Sequence, residues 1–273
     1  MILSQKDVNL HSHTFYSGHA SGTAEELVDA AKDKGLKVLG ISEHGPKPGF
    51  NFDCPPGVKY HWMNFRDLES YTYDVKKVQK EAENITVLLG CECEWDPERL
   101  NFYKEELLGR LEYNYLIMGI HFVYDDTGMH YCGTYTGMNR HLVKYVKDYT
   151  DGLRSGLFLF GAHPDLFAPG FPIWNEDAKA ASKDIIQCAI DCNIPLELNG
   201  YAFRKPNMES GRRYYSVDEF WETARDMGAK ICTNSDAHRP CDIFCSHPFD
   251  YAEEKGIKYI DWKLEGNKIT PCL

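Results

Sequence analysis

Residues 8–13 constrain this chain more than any other segment, because a short apolar run leads directly into two histidines one residue apart. Side chains at positions i and i+2 of a strand project to the same face, so His11 and His13 can reach one metal ion together. Nearly every later strand-like run also ends in a histidine, an aspartate or a glutamate. This repetition predicts one site that is built from many strand ends.

The strand-like runs alternate with helical patterns along most of the chain. Such an alternation predicts right-handed βαβ units and a parallel sheet, and no break in composition divides the chain into two parts. We therefore expect a single α/β domain over residues 1–273 that forms a closed or nearly closed barrel, with its functional side chains at the carboxyl ends of the strands. The predicted strands are 8–10, 37–41, 86–90, 115–120, 157–162, 195–198 and 230–233.

Helices and long loops fill the intervals between these strands. Thr23 and Glu26 have the spacing of a capping box at the start of the first helix. The loops 45–61 and 124–137 are long enough to face a substrate, and Gly266 is predicted to turn a small terminal hairpin. The predicted helices are 23–34, 64–83, a short acidic helix 98–108, 138–149, 177–192 and 217–227.

The net charge of −11 argues against a nucleic acid or an anionic membrane surface as the partner. An anionic small molecule stays possible, because a metal cluster reverses the local charge. No apolar run is long enough to span a bilayer, and the first residues lack the pattern of a signal peptide. Ten cysteines without a Cys-x-x-Cys pair favour reduced thiols and a cytoplasmic location, and Cys241, Cys245 and His247 match zinc spacing poorly.

Seven of the eleven histidines lie at or just after a predicted strand end, and two carboxylates complete the set. Nine ligands are too many for one ion and suit two or three divalent ions that share a bridging carboxylate. Imidazoles mixed with carboxylates suit zinc, iron or manganese, and Cys91 and Cys93 should point to the opposite face of their strand. The candidate ligands are His11, His13, His19, His44, Glu92, His121, His163, Asp236 and His238.

These motifs, taken in order, resemble the polymerase and histidinol phosphatase (PHP) family of metal-dependent phosphoesterases. The resemblance implies a distorted (βα)7 TIM-like barrel with a trinuclear metal centre at the carboxyl ends of its strands. The matching pieces are Leu10-His11-Ser12-His13, Ser17-Gly18-His19, Ser42-Glu43-His44-Gly45, Gly90-Cys91-Glu92, Gly119-Ile120-His121-Phe122-Val123, His163-Pro164-Asp165 and Ser235-Asp236-Ala237-His238.

The resemblance also implies how the ligands are shared among the ions. The first ion would be held by His11, His13, Glu92 and Asp236. Glu92 would bridge to a second ion bound by His121 and His163, and the third would be held by His19, His44 and His238. Glu92, Asp236 and His238 are the expected catalytic residues. Glu43 stands where the family usually has aspartate, so its role as a supporting carboxylate is left open.

The segment 197–206 is similar to the histidinol-phosphatase branch of the family, where a Glu-x-Asn strand end precedes an Arg-Lys pair. Asn199, Arg204 and Lys205 are therefore the expected substrate residues, and the alternative for the basic pair is a pair of solvated loop charges. An arginine fork suits bidentate phosphate binding. The implied activity is hydrolysis of a small phosphomonoester, L-histidinol phosphate, to L-histidinol and phosphate, in histidine biosynthesis.

Three other activities stay open at this point. A nuclease of the same family would need a basic groove, which the sequence does not suggest. A phosphotyrosine phosphatase would need a wide site, and a carbon–nitrogen amidohydrolase normally carries a bridging lysine where this chain has Glu92. A non-catalytic relative would be expected to have lost ligands, and none is missing. The sequence assigns no oligomeric state.

Overall fold

The computed structural model describes residues 1–46, 62–126, 128–133 and 138–272. Eleven strands and six α-helices lie within these residues. The strands are β1 (Ile2–Leu3), β2 (Val8–Asn9), β3 (Val38–His44), β4 (Thr86–Glu94), β5 (Tyr115–Gly119), β6 (Phe122–Asp125), β7 (Gly128–Tyr131), β8 (Leu196–Asn199), β9 (Ile231–Asn234), β10 (Trp262–Glu265) and β11 (Lys268–Pro271). The helices are α1 (Ala24–Asp33), α2 (Leu68–Glu81), α3 (Met138–Arg154), α4 (Glu176–Cys192), α5 (Asp218–Asp226) and α6 (His247–Lys255).

Parallel strands form a curled sheet at the centre of the fold. Strands β2, β3, β4 and β5 are hydrogen-bonded in that order, and β8 pairs with β9. Single bridges join Gly161 to both β5 and β8, and another joins Ser12 to Ala237 just beyond β9. The register of β3 on β4 places His44 opposite Glu92. The carboxyl ends of the strands therefore bring their last residues together.

Side chains of the sheet alternate between two apolar layers. Leu88 and Ile117 point into an inner cluster, whereas Leu89, Cys91 and Cys93 belong to the outer cluster beneath the helices. Burial on both faces is typical of parallel strands. The predicted outward direction of Cys91 and Cys93 is confirmed, and it leaves Glu92 to point inward.

A tyrosine fills the inner layer because two glycines leave room for it. Tyr115 is buried and donates its hydroxyl hydrogen to the carbonyl of Leu10 at 2.7 Å. A Cβ on Gly40 would lie 2.0 Å from the Tyr115 hydroxyl oxygen, and one on Gly90 would lie 2.4 Å from its Cζ. The ring therefore locks three strands together directly below the histidine pair.

The outer elements follow the predictions in part. Thr23 caps α1 in the predicted capping box, and Gly266 turns the antiparallel hairpin of β10 and β11 with a φ of 59°. Strand β1 pairs with β10, so the two ends of the described chain meet below the sheet. No helix in the described ranges is long and apolar enough to cross a membrane.

Several boundaries differ from the prediction. The predicted strand 157–162 makes only isolated bridges at Gly161, although its backbone bonds to residues on both sides. The predicted acidic helix 98–108 is a 3-10 turn followed by a π-helical segment, Phe102–Arg110. The predicted loop 124–137 contains most of the hairpin of β6 and β7, and its residues 127 and 134–137 lie outside the described residues, as do residues 47–61 of the loop 45–61.

Candidate metal centre

All nine predicted ligands converge at the carboxyl ends of the strands. Their nitrogen and oxygen atoms form overlapping groups that could each hold an ion. The groups are His11, His13 and Glu92; His13, His44 and His238; and His44, Glu92 and His121. Because the groups share members, the arrangement suits a cluster of ions better than separate sites.

Glu92 lies at the hub of the cluster, with imidazoles around both of its oxygens. Its Oε2 is 2.8 Å from His44 Nδ1 and 3.2 Å from His11 Nε2. Its Oε1 is 2.8 Å from His163 Nε2 and 3.6 Å from His121 Nε2. A carboxylate whose two oxygens face two different sets of imidazoles has the geometry of a bridging ligand.

Asp236 occupies the other side of the cluster. Its Oδ1 is 3.1 Å from His13 Nε2 and 3.5 Å from His238 Nδ1. His238 Nε2 in turn approaches His19 Nε2 at 3.0 Å. Asp236 adopts a positive φ of 49°, a backbone conformation that costs free energy in a residue with a side chain and is found most often at functional sites.

Several atoms of the cluster are buried without a hydrogen bond, which tests whether the residues fit a metal. His11 Nε2, Glu92 Oε2 and His163 Nδ1 are such atoms. Buried polar atoms are normally hydrogen-bonded, and atoms that face a metal ion are the expected exception. Imidazole nitrogens and carboxylate oxygens are also the ligand types of divalent zinc, iron and manganese. The residues present therefore fit divalent metal ions.

Three further carboxylates lie behind the histidines and were not predicted as a set. Glu197 Oε1 is 2.9 Å from His11 Nδ1, and Glu94 Oε1 is 2.6 Å from His121 Nδ1. Carboxylates in this position fix the tautomer and the orientation of a ligating imidazole. One signal was available for Glu94, because it lies two residues after Glu92 and so shares its face of the strand.

The third of these carboxylates is Glu43, whose role the sequence left open. Its Oε1 is 3.3 Å from His13 Nδ1, while its Oε2 accepts hydrogen bonds from the backbone N–H and the hydroxyl of Thr14. The Tyr71 hydroxyl lies 2.8 Å from the carbonyl oxygen of Ile41 and 2.9 Å from that of Gly90, so its one hydrogen can be donated to either strand. Glutamate therefore reaches the position that supports His13 in this chain.

The buried charges shift the pKa values of the cluster in opposite directions. Burial lowers the pKa of His13, but hydrogen bonds and charge from Asp236 and Glu43 raise it to about 9. Burial and the positive charge of His13 lower the pKa of His238 to about 3. Burial raises the pKa of Glu92, but the surrounding histidines hold it well below its usual value. Without metal, protonated imidazoles therefore offset the buried carboxylates.

An open cavity lies over the cluster, and only one predicted substrate residue lines it. The cavity has a volume of about 100 Å³, and Lys205 lines it together with Tyr131, Tyr201 and Tyr215. The Lys205 Nζ lies 4.7 Å from the centre of the Tyr201 ring. Burial lowers the pKa of Lys205, and the charge of Asp236 acts against that shift.

The other two predicted substrate residues contact Asp236 instead. Asn199 is buried and donates to Asp236 Oδ2 at 3.1 Å. Arg204 donates from Nη2 to the carbonyl of Asp236 at 3.0 Å, and it is not among the residues that line the cavity. Arg204 Nη2 is therefore directed to the backbone of the loop that carries Asp236, and the expected phosphate contact of Arg204 stays a prediction.

The histidines and cysteines that were set apart from the pattern lie elsewhere. Cys245 Sγ is 3.4 Å from His247 Nδ1, but the exposed Cys241 is not part of a metal-ligand group with them. His61 lies outside the described residues. His130 and His141, which also lie outside the strand-end pattern, are brought together with Asp125.

Comparisons with known proteins agree with this geometry. The chain is 29% identical over 241 residues to a probable histidinol-phosphatase of Deinococcus radiodurans, covering 85% of this chain and 86% of that protein. It is 28% identical over 244 residues to a probable phosphatase of Caldicellulosiruptor saccharolyticus, covering 87% and 82% of the two chains.

Two solved structures share the fold. The putative histidinol phosphatase of Listeria monocytogenes superposes with a TM-score of 0.70 at 18% identity, over 86% of this chain and 96% of that one. The histidinol phosphate phosphatase of Lactococcus lactis was solved with zinc, L-histidinol and phosphate. It superposes with a TM-score of 0.66 at 18% identity, over 97% of this chain and 98% of that one. The family model of the PHP domain matches residues 9–200, which hold seven of the nine predicted ligands. The chain therefore belongs to the PHP domain family.

Proposed function

We propose that this protein hydrolyses L-histidinol phosphate to L-histidinol and phosphate. The observation that carries the proposal is the Glu92 hub, with imidazoles around both oxygens, at the base of a small cavity that Lys205 lines. The L. lactis protein of the same fold binds zinc, L-histidinol and phosphate, which supports the choice of substrate. The D. radiodurans relative carries a corresponding name.

The cluster would hold two to three divalent ions, which are zinc, manganese or iron. Glu92 would bridge two of them, and the nine converging side chains would be the ligands. When bound, such ions neutralise the charge of a phosphoryl group and lower the pKa of a bound water. Glu43, Glu94 and Glu197 would hold three of the imidazoles in the orientation that ligation needs.

Lys205 is the protein group best placed to bind the phosphate. Its ammonium lies in the cavity wall between the rings of Tyr201 and Tyr215, at 4.7 and 5.4 Å from their centres. Partial burial strengthens the attraction between an ammonium and a phosphate, because less water screens the pair. Arg204 and Asn199 would act as positioning residues, since both hold Asp236.

The cavity favours a small substrate with a flat ring. Its volume of about 100 Å³ lies below the roughly 300–1,000 Å³ that is typical of sites for drug-sized ligands, which favours a small substrate. Three tyrosines line it, and aromatic walls suit the imidazole of histidinol. A nucleic-acid strand would instead need an extended basic surface, which the net charge of −11 does not favour.

We further infer the finer architecture from the bridges of the sheet. Gly161 links β5 to β8, and Ser12 is linked to Ala237, so the seven parallel segments would close into a distorted (βα)7 barrel. The pairing of β1 with β10 supports one domain over residues 1–273. Nine described cysteines are free thiols, which supports a reducing, cytoplasmic location.

A phosphate-release assay tests the substrate. The purified protein, loaded in turn with zinc, manganese and iron, is assayed for phosphate release from L-histidinol phosphate and from phosphotyrosine, and for strand cleavage of a single-stranded oligonucleotide. We expect kcat/KM on L-histidinol phosphate to exceed that on either other substrate by at least tenfold. Equal or greater efficiency on the oligonucleotide or on phosphotyrosine would reject the proposed substrate.

A further inference from the structure

A second group of metal-ligand side chains lies outside the centre described above. Asp125 ends β6, His130 lies in β7 and His141 lies in the first turn of α3. The register of the hairpin pairs Val123 with His130, so Asp125, two residues further along, lies on the same face. Because α3 packs against β6, this face also receives His141. Three residues from three different elements thus meet at one place.

The ligand atoms of the three residues are already close to the geometry of a bound ion. His130 Nε2 is 2.9 Å from Asp125 Oδ1, and His141 Nδ1 is 3.3 Å from Asp125 Oδ2. One atom from each residue lies within 4.8 Å of the others. Two ligands of a tetrahedral zinc lie roughly 3.3 Å apart, given bonds of about 2.0–2.1 Å. Only small side-chain movements would therefore be needed.

The imidazole pair repeats an arrangement found in the main centre. The rings of His130 and His141 are stacked, with centroids 4.2 Å apart and an angle of 20° between their planes. In the main centre the rings of His13 and His44 are stacked at 4.0 Å and 13°. Each pair of rings faces one carboxylate, which is Glu92 in the main centre and Asp125 in the second group.

We propose that Asp125, His130 and His141 form a second metal site that binds a zinc-class transition-metal ion. Two imidazoles and one carboxylate are typical zinc ligands, and they leave one position for water. Calcium and magnesium prefer sites made of oxygen atoms. The side chain of His141 is only 9% exposed, whereas those of Asp125 and His130 are 27% and 34% exposed, so an ion can enter from solvent towards a fixed imidazole.

An ion at this site would act on the wall of the substrate cavity. His130 immediately precedes Tyr131, which lines the cavity, and β6 immediately follows His121. The base of the same hairpin is held where the N–H of Cys132 donates to the carbonyl of His121 at 2.7 Å. By joining the hairpin to α3, the ion would fix the position of Tyr131 without contacting substrate.

Zinc stoichiometry tests the site. The full-length protein and its variants are brought to equilibrium by dialysis against buffered zinc, and bound zinc is measured by elemental analysis. We expect His130→Gln to bind one ion fewer per chain than the wild type. The matched control His247→Gln, which changes an exposed histidine outside any three-residue ligand group, should bind the wild-type number. Equal zinc content in wild type and His130→Gln would overturn the proposal.

A second measurement uses the unchanged protein and so does not depend on the folding of a variant. Histidines are modified with diethyl pyrocarbonate, and the modified positions are mapped by mass spectrometry. We expect zinc to slow the modification of His130 at least fivefold while that of His247 is unchanged. Equal rates of His130 modification with and without zinc would indicate that His130 does not bind the ion and would refute the site.

Discussion

Replacing Glu197 by glutamine tests how the metal centre controls its histidines. Glu197 is wholly buried and accepts from both sides: His11 Nδ1 and Asn234 Nδ2 approach Oε1 at 2.9 and 3.1 Å. Asn199 Nδ2 and the N–H of His163 approach Oε2 at 2.9 and 3.3 Å. Either orientation of a glutamine amide would therefore direct its NH2 group at two donors.

The consequence for His11 follows from its tautomer. With Glu197 present, the proton on Nδ1 is held by the carboxylate, and the lone pair of Nε2 points to Glu92 and is available to a metal. In the orientation that places the amide NH2 opposite Nδ1, the other tautomer is favoured, in which Nε2 carries the proton and cannot ligate. In the opposite orientation the uncharged amide oxygen holds the Nδ1 proton more weakly than the carboxylate does. Loss of such a supporting group typically lowers metal affinity or activity about 10–100-fold, which corresponds to about 1.4–2.8 kcal/mol.

The assay is a competition for zinc between the protein and a chromogenic chelator. We expect Glu197→Gln to give up zinc at a chelator concentration about 10–100-fold lower than the wild type does. The matched control is Glu222→Gln, which changes a half-exposed glutamate paired with Lys255 on the outer surface. If Glu197→Gln retains zinc as the wild type does, the proposed control of the His11 tautomer is wrong.

Four further substitutions probe other parts of the structure. Glu92→Gln removes the anionic hub and should lower the metal content by at least one ion per chain. A wild-type metal content by elemental analysis would contradict the proposal that Glu92 bridges two ions. Lys205→Ala should lower kcat/KM about 10–100-fold through the loss of a charged hydrogen bond of about 1.5–3 kcal/mol, with metal content unchanged, and wild-type kinetics would exclude phosphate binding there. Arg204→Ala should instead lower zinc retention, because it removes the hydrogen bond that holds the backbone of Asp236 in place. A lower kcat/KM with wild-type zinc retention would indicate that Arg204 binds substrate. Gly90→Ala should destabilise the fold by about 1–3 kcal/mol through overlap with the Tyr115 ring, and an unchanged melting temperature would show that the ring can move.

The convergence of the nine side chains could be predicted from sequence, because strand ends meet in a parallel α/β fold, whereas their roles as ligands stay a prediction. Once His11, His44 and His163 were each placed after an apolar run, their meeting followed from the architecture. The supporting role of Glu197 could not be predicted in this way, because it depends on which imidazole nitrogen faces which strand. The direction of Arg204 was missed for a similar reason, since a loop residue can point either into the cavity or behind it.

The other differences come from contacts that local patterns do not encode. Residues 157–162 are as apolar as a strand, but only Gly161 forms ladder bridges to both neighbours. His130 and His141 lie on separate elements, and nothing in the spacing of 11 residues indicates that a hairpin would fold back on a helix. Such encounters depend on tertiary packing and register rather than on propensity.

The joining of the first and last ligands has a consequence for how this protein matures. His13 and Asp236 meet across 223 residues of sequence, and the bridge from Ser12 to Ala237 closes over a similar span. Contacts this distant in sequence slow folding, because a long loop must be ordered before they form. During synthesis the ribosome has to release Asp236 and His238 before His13 can meet Asp236. The complete cluster can therefore be loaded with metal only after the chain has been synthesised through His238.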